Sequence, residues 1–336
     1  YREVLAHEPD NLPALGALAE LLCLSGRRHE SAIHLFELVK QDCVSTTQLC
    51  YLADITRPVV DKSLLEQACR TVPNDPLPRL GLAALALAEK DYASDIRHAK
   101  HILTFDACQL DGQAVLGECL VHVNDQQGLR EWDRSLPEQL QNQSAMWFVR
   151  GLWADKNRRS ELARACFQAV LRRAPDHPRA SFRLSQLLML EGKQEEAEFY
   201  ARRATRMKEI NMAVQDVVRS GGHADTIIKV AGHMQFLGRP WEALAWYRCV
   251  PEYRRSEPVR QSVRQLVDAL REEPPRVLPL ASMQLDLQAE AIWQREGVAS
   301  LADAAAADKQ SASRTVPCFT EEAHLECVGL EMGSPI

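Results

Sequence analysis

The sequence predicts an all-α solenoid of stacked helix-turn-helix hairpins, and three observations carry that prediction. Ala83, Gly117, Gly151 and Ser185 are all small and stand one 34-residue step apart. Surrounding positions keep the same step: Leu82, Leu116, Arg150 and Leu184, then Ala86, Leu120, Ala154 and Leu188, then Ile102, Leu136, Val170 and Ala204. The composition is rich in Ala and Leu and only 6% aromatic, which suits close helix contacts in a chain of 336 residues. A hairpin of this length buries its apolar face only against the next one, so small residues at fixed phases mark where neighbouring helices touch.

Taken in order, Tyr1, Val4 and Pro9 read as the last helix of a hairpin already under way, which implies that the true start of the protein is not in view. Leu15, Leu18, Leu22, Gly26, Ala32 and Phe36 make a unit over 12–44 with one extra residue, and a shortened unit from Gln48 to Arg70 is interrupted by Arg57-Pro58. Pro73 lies three steps before Pro175, which sets units at 76–109 and 110–143 in the common register. Both are irregular: Asp95 stands where a small residue belongs, and Asp133 replaces an aromatic. The unit 144–177 is the most regular, and 178–211 follows it with Leu184, Ser185, Leu188, Ala197, Ala201 and Ala204 in phase, although Glu209 takes the place of its closing proline. In that unit Gly192 ends one helix just before Glu195 and Glu196, whose charge suits the start of the next. Val230, Ala231, Met234, Gly238, Ala243, Tyr247 and Val250 define a unit at 224–257, 46 residues after its predecessor, so about twelve residues around Met212 to Gly222 are inserted. Insertions in solenoids tend to emerge on one face, often the binding face, while the plainer reading of these residues is an extended helix and a Ser220-Gly221-Gly222 turn. Val259, Val263, Leu266, Val267 and Leu270 share one side of a further helix before Glu-Glu-Pro-Pro at 272–275 stops the solenoid, giving a repeat region of 1–272. An amphipathic stretch from Met283 to Gln294 predicts a capping or accessory helix within 273–298, and the Ala-, Asp- and Ser-rich 299–336 predicts a flexible linker or the start of a further domain.

The segment from Ser144 to His177 resembles the tetratricopeptide repeat, whose pattern is W-x2-L-G-x2-Y, then A-x3-F, then P. Trp147, Gly151, Ala163, Phe167 and Pro175 match it, while Arg150 and Ala154 depart from the Leu and Tyr. The resemblance implies a right-handed solenoid, a non-catalytic scaffold that holds a protein or peptide partner in a concave groove lined by the first helices. The groove positions it implies are Ala145, Phe148, Leu152, Asp155 and Lys156, then Arg179, Phe182, Gln186, Met189 and Leu190, then Asp225, Ile228, Gly232, Gln235 and Phe236. Arg183 lies on the same first helix as Arg179. About half of the apolar members of this set are expected to be core between repeats. The Lys and Asn pattern with which chaperone-binding members clamp a terminal carboxylate is absent. Near the end, Phe319 to Ala323 and Gly329-Leu330 resemble the opening of FG-GAP/UnbV-type propeller proteins, which gives an alternative: an accessory, substrate-positioning region of a larger enzyme or secreted protein.

No catalytic, cofactor or metal constellation is legible. The phosphate-loop, dinucleotide, zinc-helix and nucleophile-elbow signatures do not occur. His98 and His101 lack a third donor, and no cysteine pair among the ten has CxxC spacing, so the thiols read as reduced and buried, with a slight preference for the cytoplasm. No apolar run reaches the length of a membrane span. Arg150 to Lys208 holds fourteen Lys or Arg against seven Asp or Glu, a local +7 in a chain of net −6. With Arg179 and Arg183 on a groove helix, this predicts an acidic peptide or carboxylate partner. The acidic chain and the lack of interleaved surface aromatics disfavour nucleic acid.

Overall fold

The computed structural model describes residues 1–24, 27–53, 62–73, 75, 77–280 and 292–293. Among them every regular element is helical. The helices in chain order are α1 (Arg2–His7), α2 (Leu12–Leu24), α3 (Arg28–Lys40), α4 (Thr46–Ala53), α5 (Lys62–Thr71), α6 (Leu77–Glu89), α7 (Tyr92–Phe105), α8 (Leu110–His122), α9 (Gln126–Ser135) and α10 (Glu138–Gln141). They continue with α11 (Ser144–Lys156), α12 (Ser160–Arg173), α13 (Pro178–Leu190), α14 (Gln194–Arg219), α15 (Ala224–Phe236), α16 (Pro240–Arg248) and α17 (Glu257–Leu270), with a 3-10 turn at Glu252–Arg254. Antiparallel hairpins form from α2 and α3, α6 and α7, α8 and α9, α11 and α12, α13 and α14, and α15 and α16.

The 34-residue step is written into the backbone. Inside successive hairpins an amide reaches the carbonyl five residues back: Asp91 to Ala86 at 2.9 Å, Asp125 to Leu120 at 3.0 Å, Arg159 to Ala154 at 2.9 Å and Lys193 to Leu188 at 2.9 Å. This bond satisfies one of the carbonyls left over at a helix end, and it needs a left-handed residue just before the donor. Lys90, Asn124, Arg158 and Gly192 supply it, with φ of 61°, 60°, 57° and 75°. Between hairpins a second bond keeps the same step, from Asp75 to Val72, Gln109 to Asp106, Gln143 to Leu140 and His177 to Ala174. Small residues permit the helix contacts. A methyl on Gly151 would lie 2.6 Å from the Phe167 ring, and one on Gly117 would lie 2.7 Å from Trp132.

Two cores result. The first runs from α6 through α13 into the first turns of α14, and holds Trp147, Phe148, Trp153, Phe167, Leu184 and Tyr200. The second joins α2, α3 and α4 to the rest of α14 and to α15, α16 and α17. The first complete hairpin therefore packs on the last ones and does not occupy a free end. Phe36 meets Trp241 edge to face at 6.2 Å, Arg248 pairs with Asp42 at 2.8 Å, and Arg239 donates to the Leu52 carbonyl at 3.3 Å.

Of the two readings of the inserted residues, the structure has the extended helix. The insertion lengthens α14 to 26 residues, ending at Gly221 and Gly222 with positive φ. Met207 and Ile210 just before the insertion and Ala213, Val214 and Val217 within it are buried in the second core, and α14 packs against α4.

A buried charge cluster sits at that junction. Arg239 bonds Glu242 at 2.8 Å and Asp176 at 3.2 Å, and Arg276 reaches Glu242 at 2.8 Å. Burial would push the Glu242 carboxyl up, but Arg239 and Arg276 outweigh it and hold the group below its ordinary range. Past α17 the chain turns back: Pro274 accepts from the Trp241 indole at 2.8 Å and Leu278 donates to the Gly238 carbonyl at 2.8 Å. Ile292 and Trp293 pack against the first core. Gly26, Arg57-Pro58, Met283 to Ala291, the linker from Ala299 and the propeller-like segment lie outside the described residues.

Candidate functional site

The positions that the repeat resemblance assigns to the groove lie on the first helices α11, α13 and α15, and polar side chains tie α8, α11 and α13 together. Lys156, at the end of α11, donates to the Val121 and His122 carbonyls at 2.8 and 3.1 Å, closing the C-terminus of α8. Arg183 on α13 pairs with Asp155 on α11 at 3.8 Å. Burial raises the Asp155 carboxyl and Arg183 partly offsets that. Arg179 spans further: its guanidinium lies 4.6 Å from the Phe148 ring centre and bonds Glu118 of α8 at 2.7 Å.

These ties correct part of the residue set. Phe148 and Leu152 are buried, so they are core beneath the groove and not its lining. Phe148 packs on Phe167 and on His177, with Arg179 as its lid. Lys156, Arg179 and Arg183 have intramolecular partners already in place, and ion pairs with acids inside and outside the stretch offset part of the local basic excess. Arg150 with Asp133, Arg164 with Glu191 and Arg206 with Glu209 continue that pattern.

Apolar surface remains. On α13, Phe182 and Met189 are about half exposed, Leu190 is more so, and Gln186 lies between them at helical spacing. On α15, Phe236 is half exposed beneath Arg206, whose guanidinium sits 4.9 Å from its ring. Asp225 is exposed in the first turn of α15, where an acid suits the helix dipole. Ile228 packs partly into the second core, and Gln235 accepts from the Tyr247 hydroxyl at 3.4 Å.

Sequence reasoning missed Glu118. It lies 61 residues from Arg179, and no local pattern pairs them. It also missed Trp293 on Asp133, for which a signal existed: Asp133 and Arg150 are opposite charges at two positions where the repeat wants apolar groups. Among the described residues no group of three or more His, Cys, Asp or Glu could hold a metal ion, and no helix is long and apolar enough to cross a membrane. The eight described cysteines are free thiols.

No family model matches the chain, and no curated protein matches it. Among solved structures it is similar to YrrB, described as a TPR protein with an unusual peptide-binding site. The identity is 13% and the TM-score 0.33, over 61% of this chain and 100% of that one.

Proposed function

We propose that the chain is a non-catalytic interaction scaffold that holds an amphipathic or extended peptide segment of a protein partner against α13 and α15. The observation that carries this reading is the row of exposed Phe182, Met189 and Leu190 on one face of α13, with Phe236 on α15. A soluble surface seldom gathers large apolar side chains without a use for them. The partner supplies apolar anchors at this row, and Arg179, Arg183, Gln186, Asp225, Ile228 and Gln235 set its orientation.

The acidic character of the partner is a finer element of the proposal. An acidic peptide meets Arg179 or Arg183 only by displacing Glu118 or Asp155, so charge contributes to selectivity more than to affinity. Selection of displayed peptides against the full chain tests both elements. Selected peptides should lose at least tenfold in affinity when Phe182, Met189 and Phe236 are changed together to Ser, and their binding should fall only shallowly with salt. Peptides that ignore the triple change would overturn the α13 and α15 site.

A further inference from the structure

Asp133 and Arg150 occupy positions where the hairpin pattern calls for an aromatic and a leucine, and the structure shows that the two departures belong together. Arg150 Nε bonds Asp133 Oδ1 at 2.9 Å with both side chains buried, and Arg150 also donates to the Gln141 carbonyl at 2.8 Å. A buried ion pair of this kind is a poor substitute for apolar packing if stability is its only purpose, because both charges must be stripped of water.

The pair instead forms two walls of a slot, and Trp293 fills it. Its indole Nε1 donates to the other Asp133 oxygen, Oδ2, at 3.3 Å. The Arg150 guanidinium lies 5.2 Å from its ring centre, and Trp153 meets it edge to face at 5.8 Å and 86°. Trp153 is itself held by a bond from its indole N–H to Gln126 at 2.8 Å. Trp293 is 5% exposed. An acceptor for the N–H, a cation on the face and an aromatic at the edge are together a recognition set for indole, which phenyl or aliphatic side chains satisfy only in part.

We infer that the slot walled by Asp133, Arg150 and Trp153 is a binding site for a tryptophan side chain, occupied in cis by Trp293 and open to a tryptophan-bearing peptide when Trp293 is withdrawn. The site shares no residue with the α13 and α15 face and stands whether or not that reading holds. The cis occupant excludes competitors through its high effective concentration, so the unaltered chain resists added peptide.

The test uses the full chain carrying Trp293→Ala and a labelled synthetic peptide with the sequence of residues 288–297, read by fluorescence anisotropy. The variant should bind this peptide at least tenfold more tightly than the unaltered chain does. The same peptide with Phe in place of its Trp should bind the variant about tenfold more weakly, and with Ala not measurably. Restoring an apolar pair with Asp133→Leu and Arg150→Leu in the Trp293→Ala chain should abolish the preference for Trp over Phe. If Trp293→Ala loses its helical circular dichroism, Trp293→Phe replaces it, keeping a ring in the slot without the N–H, and must still bind the Trp peptide more tightly than the unaltered chain. A folded variant that binds no peptide, equal binding of the three peptides, or equal binding by variant and unaltered chain overturns the inference.

Discussion

Asp95 is a carboxylate at a second-helix position where the repeat takes a small residue. It is fully buried on α7, and Oδ2 accepts from the Cys119 thiol of α8 at 3.4 Å. Burial pushes its carboxyl up to about 7; hydrogen bonds from Cys119 and the Leu87 backbone partly oppose this, and Asp91 and Glu118 add to the rise. A raised carboxyl means that between about pH 4 and 7 the unfolded chain gives up a proton that the folded chain keeps, so stability falls as pH rises through that window. Asp95→Asn removes the ionisation and retains an acceptor for Cys119. The variant should match the unaltered chain near pH 4 and exceed it by on the order of 3 kcal/mol above pH 7, as read from urea midpoints. Parallel pH profiles would show that Asp95 ionises freely in the fold. Sequence reading located this residue as a departure, but its protonation depends on packing by Cys119, 24 positions away.

At the scale of the element, the hairpins were legible because their determinants are local. Gly151, Ala163 and Phe167 lie within one unit, and Phe167 closes over the glycine so tightly that a Cβ there meets its ring at 2.6 Å. Both Phe167 and its surroundings are fully buried, leaving no room to yield. Gly151→Ala should therefore cost about 1–3 kcal/mol through overpacking, despite the better helix propensity of alanine, and thermal unfolding followed by circular dichroism would measure it. A neutral result would mean that α11 and α12 can separate without loss. The turns were only partly legible. Gly192 announces its left-handed conformation, whereas Lys90, Asn124 and Arg158 adopt the same one without a glycine, compelled by the hydrogen bonds on either side. The extension of α14 was legible both as twelve extra residues and as a lengthened helix ending at Ser220-Gly221-Gly222, but its burial against α4 was not, because that partner comes from distant chain.

At the scale of the whole molecule, the first and last hairpins meet, and this long-range contact changes how the solenoid should respond to damage. An open repeat array is stabilised only by nearest neighbours, so its ends fray independently of each other. Here Arg239 links Asp176, Glu242 and the Leu52 carbonyl, which brings three distant stretches of chain to one buried point. Glu242→Gln leaves Arg239 and Arg276 short of a charged partner, at a cost of about 3 kcal/mol by comparison with other broken buried pairs. Because Glu242 is held below its ordinary value of 4.5, its contribution is present above that pH and is lost as pH falls through the depressed value. The unaltered chain should thus lose its advantage over Glu242→Gln on acidification. Amide hydrogen exchange tests the closure itself. In Glu242→Gln, residues 12–53 should exchange faster together with α16, while α11 and α12 keep their protection. If residues 12–53 exchange as in the unaltered chain, the charge cluster does not hold the first hairpin, and the second core alone closes the molecule.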